Sequence, residues 1–338
     1  MYDIPIVFFI FKRPEKSVQI LKRIGEVQPK KLYIISDAGR TEEERAEVEK
    51  CRAMVEENID WDCQVIKNYA QENKGCFDRI GLGALWVLER EECAVFLEDD
   101  NYPEPSFFQY CKELLEYYKN EDDVLWVCGT NYMETYQPES GADYVFTHHM
   151  LPCGWATWSH KFTKYYDAEF SNLNNDSLED IKKRYTNKRL YKRDLKNWKM
   201  ELTNKEKDGR YCSWDYQMCF SLRFFDKLGI APKYNQIRNI GVDDASEHGG
   251  NSFDSVMTQR FCGMGSKVLQ FPLKHPEKIE IDATFEALTD KIVLPPFDFK
   301  AMLRKPFSLL IRAVFQIPEK QTIKDFFAER RENRKNEK

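Results

Sequence analysis

Glycine and proline are scarce in this chain, 15 and 14 residues of 338, so it is neither collagen-like nor a linker-dominated array. No apolar run approaches the roughly 20 residues that a membrane-spanning helix needs. Met1 leads into an apolar stretch with no basic segment and no small-residue cleavage site, so that stretch reads as a strand and not as a signal peptide. An excess of positive charge is also missing. Lys and Arg number 51 against 56 Asp and Glu, a net of −5, which excludes a generic nucleic-acid binder. The ten cysteines contain no C-x-x-C pair, and the five histidines do not follow them at zinc spacing. Reduced, largely buried thiols are the simplest reading, and they favour a cytoplasmic location. Internal repeats and low-complexity tracts are absent.

What the chain does have fits a globular protein: 42% hydrophobic and 32% charged residues, over a length that suggests roughly two domains or one large α/β domain with an appendage. Charge is unevenly spread. Residues 301–338 carry ten basic and five acidic side chains, which leaves −10 on everything before them. A basic tail on an acidic body hints at anionic surfaces.

The first hundred residues alternate strand and helix. Residues 4–11, 31–36, 63–67 and 93–97 are β-rich and apolar. Helical patterns separate them, one opened by Pro14 and one by Thr41 with Glu44 in capping-box position. Four β-α units in succession predict a parallel sheet, and ligands of such sheets bind outside the carboxyl ends of the strands. Lys12-Arg13-Pro14, Asp37-Ala-Gly39 and Glu98-Asp99-Asp100 each follow a strand directly, so they are expected to meet in one crevice.

Further on, residues 105–118 read as a helix and 124–128 as a strand. Residues 149–158 read as an irregular aromatic segment, 214–227 as a helix, and 237–240 as a short strand before a polar loop. Residues 178–208 carry eleven basic and six acidic side chains. They read as a helical insertion, a long helix or a hairpin, with Tyr191, Leu195, Trp198 and Leu202 as its buried stripe. After Pro296 the chain is a basic, partly amphipathic tail. The expected organisation is a nucleotide-sugar-binding half (1–128), an acceptor-binding and catalytic half (129–295), and the tail (296–338).

A strand that ends in three acids must release its charge into a polar site, because the carboxylates repel unless a cation or hydroxyl donors relieve them. Hard divalent ions take such oxygens. The alternative is a solvated strand-to-loop junction. In this setting the chain resembles the GT-A-type nucleotide-sugar glycosyltransferases, most of all the N-acetylglucosaminyltransferase I group and bacterial hemolysin-activation-like relatives. The resemblance is carried by the first strand with Lys12-Arg13-Pro14-Glu15, Ile35-Ser36-Asp37-Ala-Gly39, Asn73-Lys-Gly75, and Val95-Phe-Leu-Glu98-Asp99-Asp100 followed by Pro105-Ser-Phe-Phe108. It continues through Pro152-Cys-Gly154-Trp155-Ala-Thr-Trp158, Ser213-Trp214-Asp215, and Asn239-Ile-Gly241 leading to His248. These segments stand in family order over about 250 residues; the tail lies outside the match.

The resemblance implies an α/β, GT-A (Rossmann-like) fold with a mostly parallel central sheet. To this are added the basic helical insertion and a C-terminal helical tail. It implies Asp100 as direct ligand of a divalent cation (Mn²⁺ or Mg²⁺), with Glu98 and Asp99 against donor sugar and ribose. Asp37 and Arg13 would lie at the nucleotide and Asp215 would be the catalytic base of an inverting reaction. His248, in a Ser246-Glu-His248 context where the family usually has Gly-Thr-His, would approach diphosphate or metal. The implied activity is transfer of a sugar from a nucleotide-sugar donor, a UDP-sugar foremost, to a hydroxyl of a glycan or lipid-linked saccharide such as a bacterial surface polysaccharide.

Other readings stay open. Asp215 precedes a helix and is also placed to be its N-cap. Trp155 and Trp158 are suited to stack on a sugar beside Gly154, or to pack in the core. The basic insertion attracts an anionic acceptor, or is a solvated face. The tail lies on the inner face of an anionic membrane, or docks on the body. A sugar-phosphate nucleotidyltransferase would share the architecture but should carry a Gly-rich loop where Lys12-Arg13-Pro14 stands. A non-enzymatic carbohydrate-binding protein would leave the acidic triplet unexplained.

Overall fold

Five apolar β-formers in a row can be buried on both faces only at the centre of a sheet, and that is where β1 (Ile6–Ile10) lies. In this computed structural model, which describes residues 1–243 and 252–296 together with Phe315, Met1–Leu294 forms one unit. Pro14, its missing N–H costless in a first helical turn, opens α1 (Pro14–Gly25). Next come β2 (Lys31–Ser36), α2 (Glu42–Glu57) and β3 (Gln64–Tyr69). The Thr41 hydroxyl accepts the Glu44 N–H as expected, but the Glu44 carboxylate turns to Arg40 and Lys12. A π-helical turn (Phe77–Leu82) then runs into α3 (Gly83–Leu88), followed by β4 (Cys93–Glu98), β5 (Asn101–Pro103), α4 (Ser106–Tyr117) and β6 (Val124–Cys128).

The next elements are β7 (Tyr144–Thr147), β8 (Trp155–Trp158), α5 (Ser159–Tyr165), α6 (Asn175–Lys183) and α7 (Lys188–Asp208). After them come α8 (Asp215–Phe224), β9 (Leu228–Pro232), β10 (Ile237–Asn239), α9 (Val256–Cys262) and α10 (Ala283–Val293).

The main sheet has the order β3-β2-β1-β4-β8-β6-β9-β7. β3, β2, β1 and β4 are mutually parallel, β6 and β9 are parallel, and β8 and β7 run antiparallel to their neighbours. The chain is therefore α/β with a mostly parallel sheet, as expected, and the two halves anticipated on either side of residue 128 share that sheet. Helices cover both faces with separate apolar clusters. β10 pairs antiparallel with β5, Asn239 opposite Asn101, and this small ribbon overhangs the end of β4.

Two local expectations change, and the insertion takes the second of its two expected forms. The aromatic segment 149–158 ends in a strand, because β8 has ladder partners on both sides, β4 and β6. The insertion is a hairpin of α6 and α7, broken where the Asn187 side chain accepts the N–H groups of Arg189 and Leu190. Its fully buried stripe is Leu190, Asp194, Trp198 and Glu201, while Tyr191, Leu195 and Leu202 flank it, half-buried. Two acids thus occupy positions where amphipathic patterning places apolar side chains. Among the described residues no helix is long and apolar enough to cross a membrane. The tail, apart from residues 296 and 315, lies outside the described residues.

Candidate functional site

Register brings the anticipated segments level. Ile10 pairs with Ser36 and Phe9 with Glu98, so the chain leaves β1, β2 and β4 at the same height. Beyond these ends opens a cleft of about 1190 Å³, lined among others by Arg13, Asp37, Glu98, Asp99, Asp100 and Asp215. Six of the expected site residues therefore share one cavity.

Arg13 is the hub. Its Nη1 donates to Asp99 Oδ1 at 3.1 Å and to Asp100 Oδ2 at 3.2 Å, and its Nη2 to the Gly241 carbonyl at 3.3 Å. Asp243 stands 3.7 Å from its Nε and also pairs with Lys16. Burial works against the guanidinium charge, yet Asp99, Asp100 and Asp243 outweigh it and hold the proton more firmly than usual. Asp99 Oδ2 accepts the Phe11 N–H at 3.1 Å, and burial, only partly offset by Arg13, pushes this carboxyl up to about 6. Glu98 is pushed well above the ordinary carboxylate range by burial, then by Asp100, Asp99 and Asp215. One arginine thus offsets only part of the repulsion among these acids. Carboxylate oxygen suits a hard divalent cation, but Asp100 Oδ1 already accepts from the Asn101 amide at 2.6 Å and Oδ2 from Arg13, so a cation here would have to displace these donors.

Asp37 has a different setting. Its oxygens accept the N–H groups of Ala38 (2.9 Å), Lys74 (2.9 Å) and Gly75 (2.8 Å) and the Asn73 amide (3.1 Å). The carboxylate is engaged in fixing the 73–75 loop. From behind, buried Arg52 holds the Ser36 hydroxyl and the Asp37 carbonyl. Asp215 lies inside the first turn of α8, not at its N-cap, which is Trp214; the Ser213 hydroxyl donates to Asp215 Oδ1.

Trp155 requires a correction. It is 1% exposed and stacks on Phe96 at 3.8 Å and on Trp126 at 4.2 Å, so no face is left for a sugar. Trp158, equally buried, spends its indole N–H on the Leu115 carbonyl. Gly154 does admit a close neighbour, but the neighbour is protein: φ is +62°, and a Cβ there would lie 2.5 Å from Ile237 Cδ1. His248 lies outside the described residues.

The cleft contains residues that no motif announced. Arg79, on the π-helical turn, donates through Nη2 to the Asn68 carbonyl (2.6 Å) and side chain (3.0 Å). Its buried Nε has no partner, and no carboxylate lies within ion-pair distance among the described residues. Its one sequence signal is its place just after Asn73-Lys-Gly75. Deeper in the molecule, His149, Glu286 and Asp290 bring three ligand-type atoms within 4.8 Å of one another, all buried. Arg223 already donates to Glu286 at 3.0 Å, and His149 lies 2.9 Å from Asp290. Burial tends to raise Glu286, but His149 and Arg223 overcome it and hold this carboxyl at about 2. That is the chemistry of a compensated ion network, and a second dication would face a guanidinium.

Neither a protein-family model nor a curated protein matches this chain. Among solved structures it is similar to a mannosyltransferase from Pyrobaculum calidifontis in complex with GDP-Man and Mn²⁺, at 13% identity and a TM-score of 0.35 over 54% of this chain and 52% of that one. It is also similar to a 4-diphosphocytidyl-2C-methyl-D-erythritol synthase from Anaerococcus prevotii, at 11% identity and a TM-score of 0.33 over 52% and 81% of the two chains. A UDP-glucose pyrophosphorylase complexed with UDP-glucose matches at 11% identity and a TM-score of 0.31 over 69% and 91%. The chain spans about half the length of the mannosyltransferase. Likeness at this level says nothing of activity.

Proposed function

We propose that this protein is an inverting glycosyltransferase that moves a sugar from a nucleotide-sugar, a UDP-sugar foremost, to a hydroxyl of a glycan or lipid-linked saccharide. The observation that carries the reading is the acidic end of β4, with Arg13 laid against it and Asp215 lining the same cleft. The order of the motifs along the chain supports the same reading, as does the absence of a Gly-rich loop after β1.

Asp100 is the residue to hold a divalent cation, with Glu98 and Asp99 beside it. Bound there, Mn²⁺ or Mg²⁺ supplies Lewis-acid relief of the charge on a diphosphate leaving group. The chain's own residues do the rest. Arg13 and Arg79 present guanidinium groups to an anionic nucleotide. Asp215 takes the proton of the acceptor hydroxyl as its oxygen attacks the anomeric carbon. The bond from that carbon to the phosphate oxygen breaks, and nucleoside diphosphate leaves with the electron pair. A single displacement inverts the configuration. The basic tail contacts an anionic membrane surface in this reading.

The test is product analysis. With Mn²⁺ and a panel of nucleotide-sugars, nucleoside diphosphate should be released, and Asp215→Asn should lower release about 10²–10⁴-fold to a measurable residual rate while leaving donor binding nearly intact. Release of pyrophosphate from nucleoside triphosphate and sugar phosphate would assign the cleft to a nucleotidyltransferase instead.

A further inference from the structure

We infer that Glu201, in the middle of the insertion helix α7, is a positioning residue for Asp215; the inference rests on the reading of Asp215 as the base. Glu201 is fully buried, and its Oε2 accepts the N–H of Cys212 at 2.8 Å and of Ser213 at 3.2 Å. The Ser213 hydroxyl in turn donates to Asp215 Oδ1. A chain of contacts therefore runs from the insertion through two consecutive peptide N–H groups to the carboxylate in the cleft.

The position of this acid is informative. Trp198, one turn earlier on α7, is fully buried and meets Phe220 of α8 edge-on at 5.4 Å, an apolar contact that needs no carboxylate beside it. Burying a charge is costly unless it meets strong donors. Glu201 Oε1 accepts from the Asn204 amide on the same helix at 3.4 Å, and the donors to Oε2 are the backbone of the turn entering α8, whose N-cap, Trp214, offers no side-chain cap. The same turn is gripped from the other side. The Tyr166 hydroxyl donates to the Trp214 carbonyl at 3.2 Å, and a Cβ on Gly81 would lie 2.6 Å from that hydroxyl and 2.9 Å from Trp214 Cβ. Glu201 thus closes a cage around residues 212–215, and the insertion is part of the catalytic half.

The experiment is a double-mutant cycle on full-length protein. It measures UDP release with Mn²⁺ from whichever of UDP-glucose, UDP-galactose and UDP-N-acetylglucosamine the wild type turns over, together with the Kd for Mn²⁺–UDP and the folded fraction by circular dichroism. Glu201→Ala should lower kcat at least ~10-fold with Kd changed less than about twofold, because misplacing a reacting group costs rate and not ground-state binding. Glu201→Gln keeps an acceptor oxygen and should stay within about threefold of wild type. In the Asp215→Asn background, Glu201→Ala should cost nothing more. Should Glu201→Ala fail to fold, Ser213→Ala carries the test, with the same expected loss of kcat and the same silence beside Asp215→Asn. Normal kcat per folded molecule, or losses that multiply with that of Asp215→Asn, overturns the inference. Normal turnover by Asp215→Asn alone overturns the base assignment on which it stands, so the two failures are distinct.

Discussion

Trp155 and His148 show how much a residue's role depends on what surrounds it. Trp155 stacks between Phe96 and Trp126, with Trp214 at 5.2 Å, in the cluster under the cleft. Trp155→Ala should therefore cost about 3–5 kcal/mol, read from urea unfolding. A ring that stacked on sugar would instead lose donor affinity at unchanged stability. His148 is buried with its Nε2 3.2 Å from Asp226, and burial, then the Arg223 charge, push its pKa down from 6.5 to about 4. As pH falls below 6.5 the unfolded chain takes up this proton first, and the folded protein follows only near 4. The contribution is whole above pH 6.5 and is lost between 6.5 and 4, by about 3 kcal/mol at roughly 1.4 kcal/mol per pH unit. Asp99, held at about 6, works in the opposite direction over the same window, so the share of His148 is read as a difference: the melting temperature of His148→Gln should gain on that of wild type as pH falls from 6.5 to 4. Below pH 4.5 the carboxylates held down in the fold, Glu286 and Asp122 among them, add to the decline as they are protonated.

At the scale of elements, polar side chains that patterning assigns to solvent turn out to join one element to the next. Lys161, on α5, is 1% exposed. Its Nζ donates to the carbonyls of Tyr118 (2.6 Å), Glu121 (2.8 Å) and Val124 (2.8 Å), and lies 3.6 Å from the centroid of the Trp158 ring. It ties the end of α4, the turn after it and the start of β6 to one cation. Lys161→Met keeps the stem but leaves three carbonyls without their donor. It should lower stability by about 2–5 kcal/mol in chemical denaturation, at roughly 1–3 kcal/mol per orphaned buried group. Asp194 and Glu201 belong to the same class. Asp194 receives the Tyr185 hydroxyl at 2.8 Å and the Arg193 guanidinium at 2.7 and 2.9 Å, which holds α7 to the end of α6.

For the whole molecule, the acids at the end of β4 are assembled by chain segments far apart in sequence: Arg13 from the first loop, Gly241 and Asp243 from beyond β10. Anything that binds the folded state alone stabilises it by mass action, about 2.7 kcal/mol at a hundred times Kd. Mn²⁺ with UDP should accordingly raise the melting temperature more than UDP with EDTA. Asp100→Ala should abolish the difference and leave the metal-free protein folded. Equal shifts with and without metal would mean metal-independent binding and end the reading of Asp100 as the metal ligand.

The sequence by itself determined the β-α alternation, the strand ends and hence which loops face one edge, because hydrophobic period and turn chemistry are local properties. Lys31–Ser36 and Val124–Cys128 fall where the residue pattern puts them. Arg13, Asp37, Glu98, Asp99 and Asp100 were legible as a group because strand ends of a parallel sheet share an edge, whereas Asp215, which follows no strand, was named only by the resemblance. Only the tertiary structure decided what each side chain spends its polar atoms on. It filled Asp37 with the N–H groups of its own loop, made Trp155 core, inserted β8 between β4 and β6, and turned Lys161 and Glu201 inward. Those outcomes depend on partners dozens of residues away, and a carboxylate, an ammonium or an indole carries no local sign of which donor or ring the fold will bring to it.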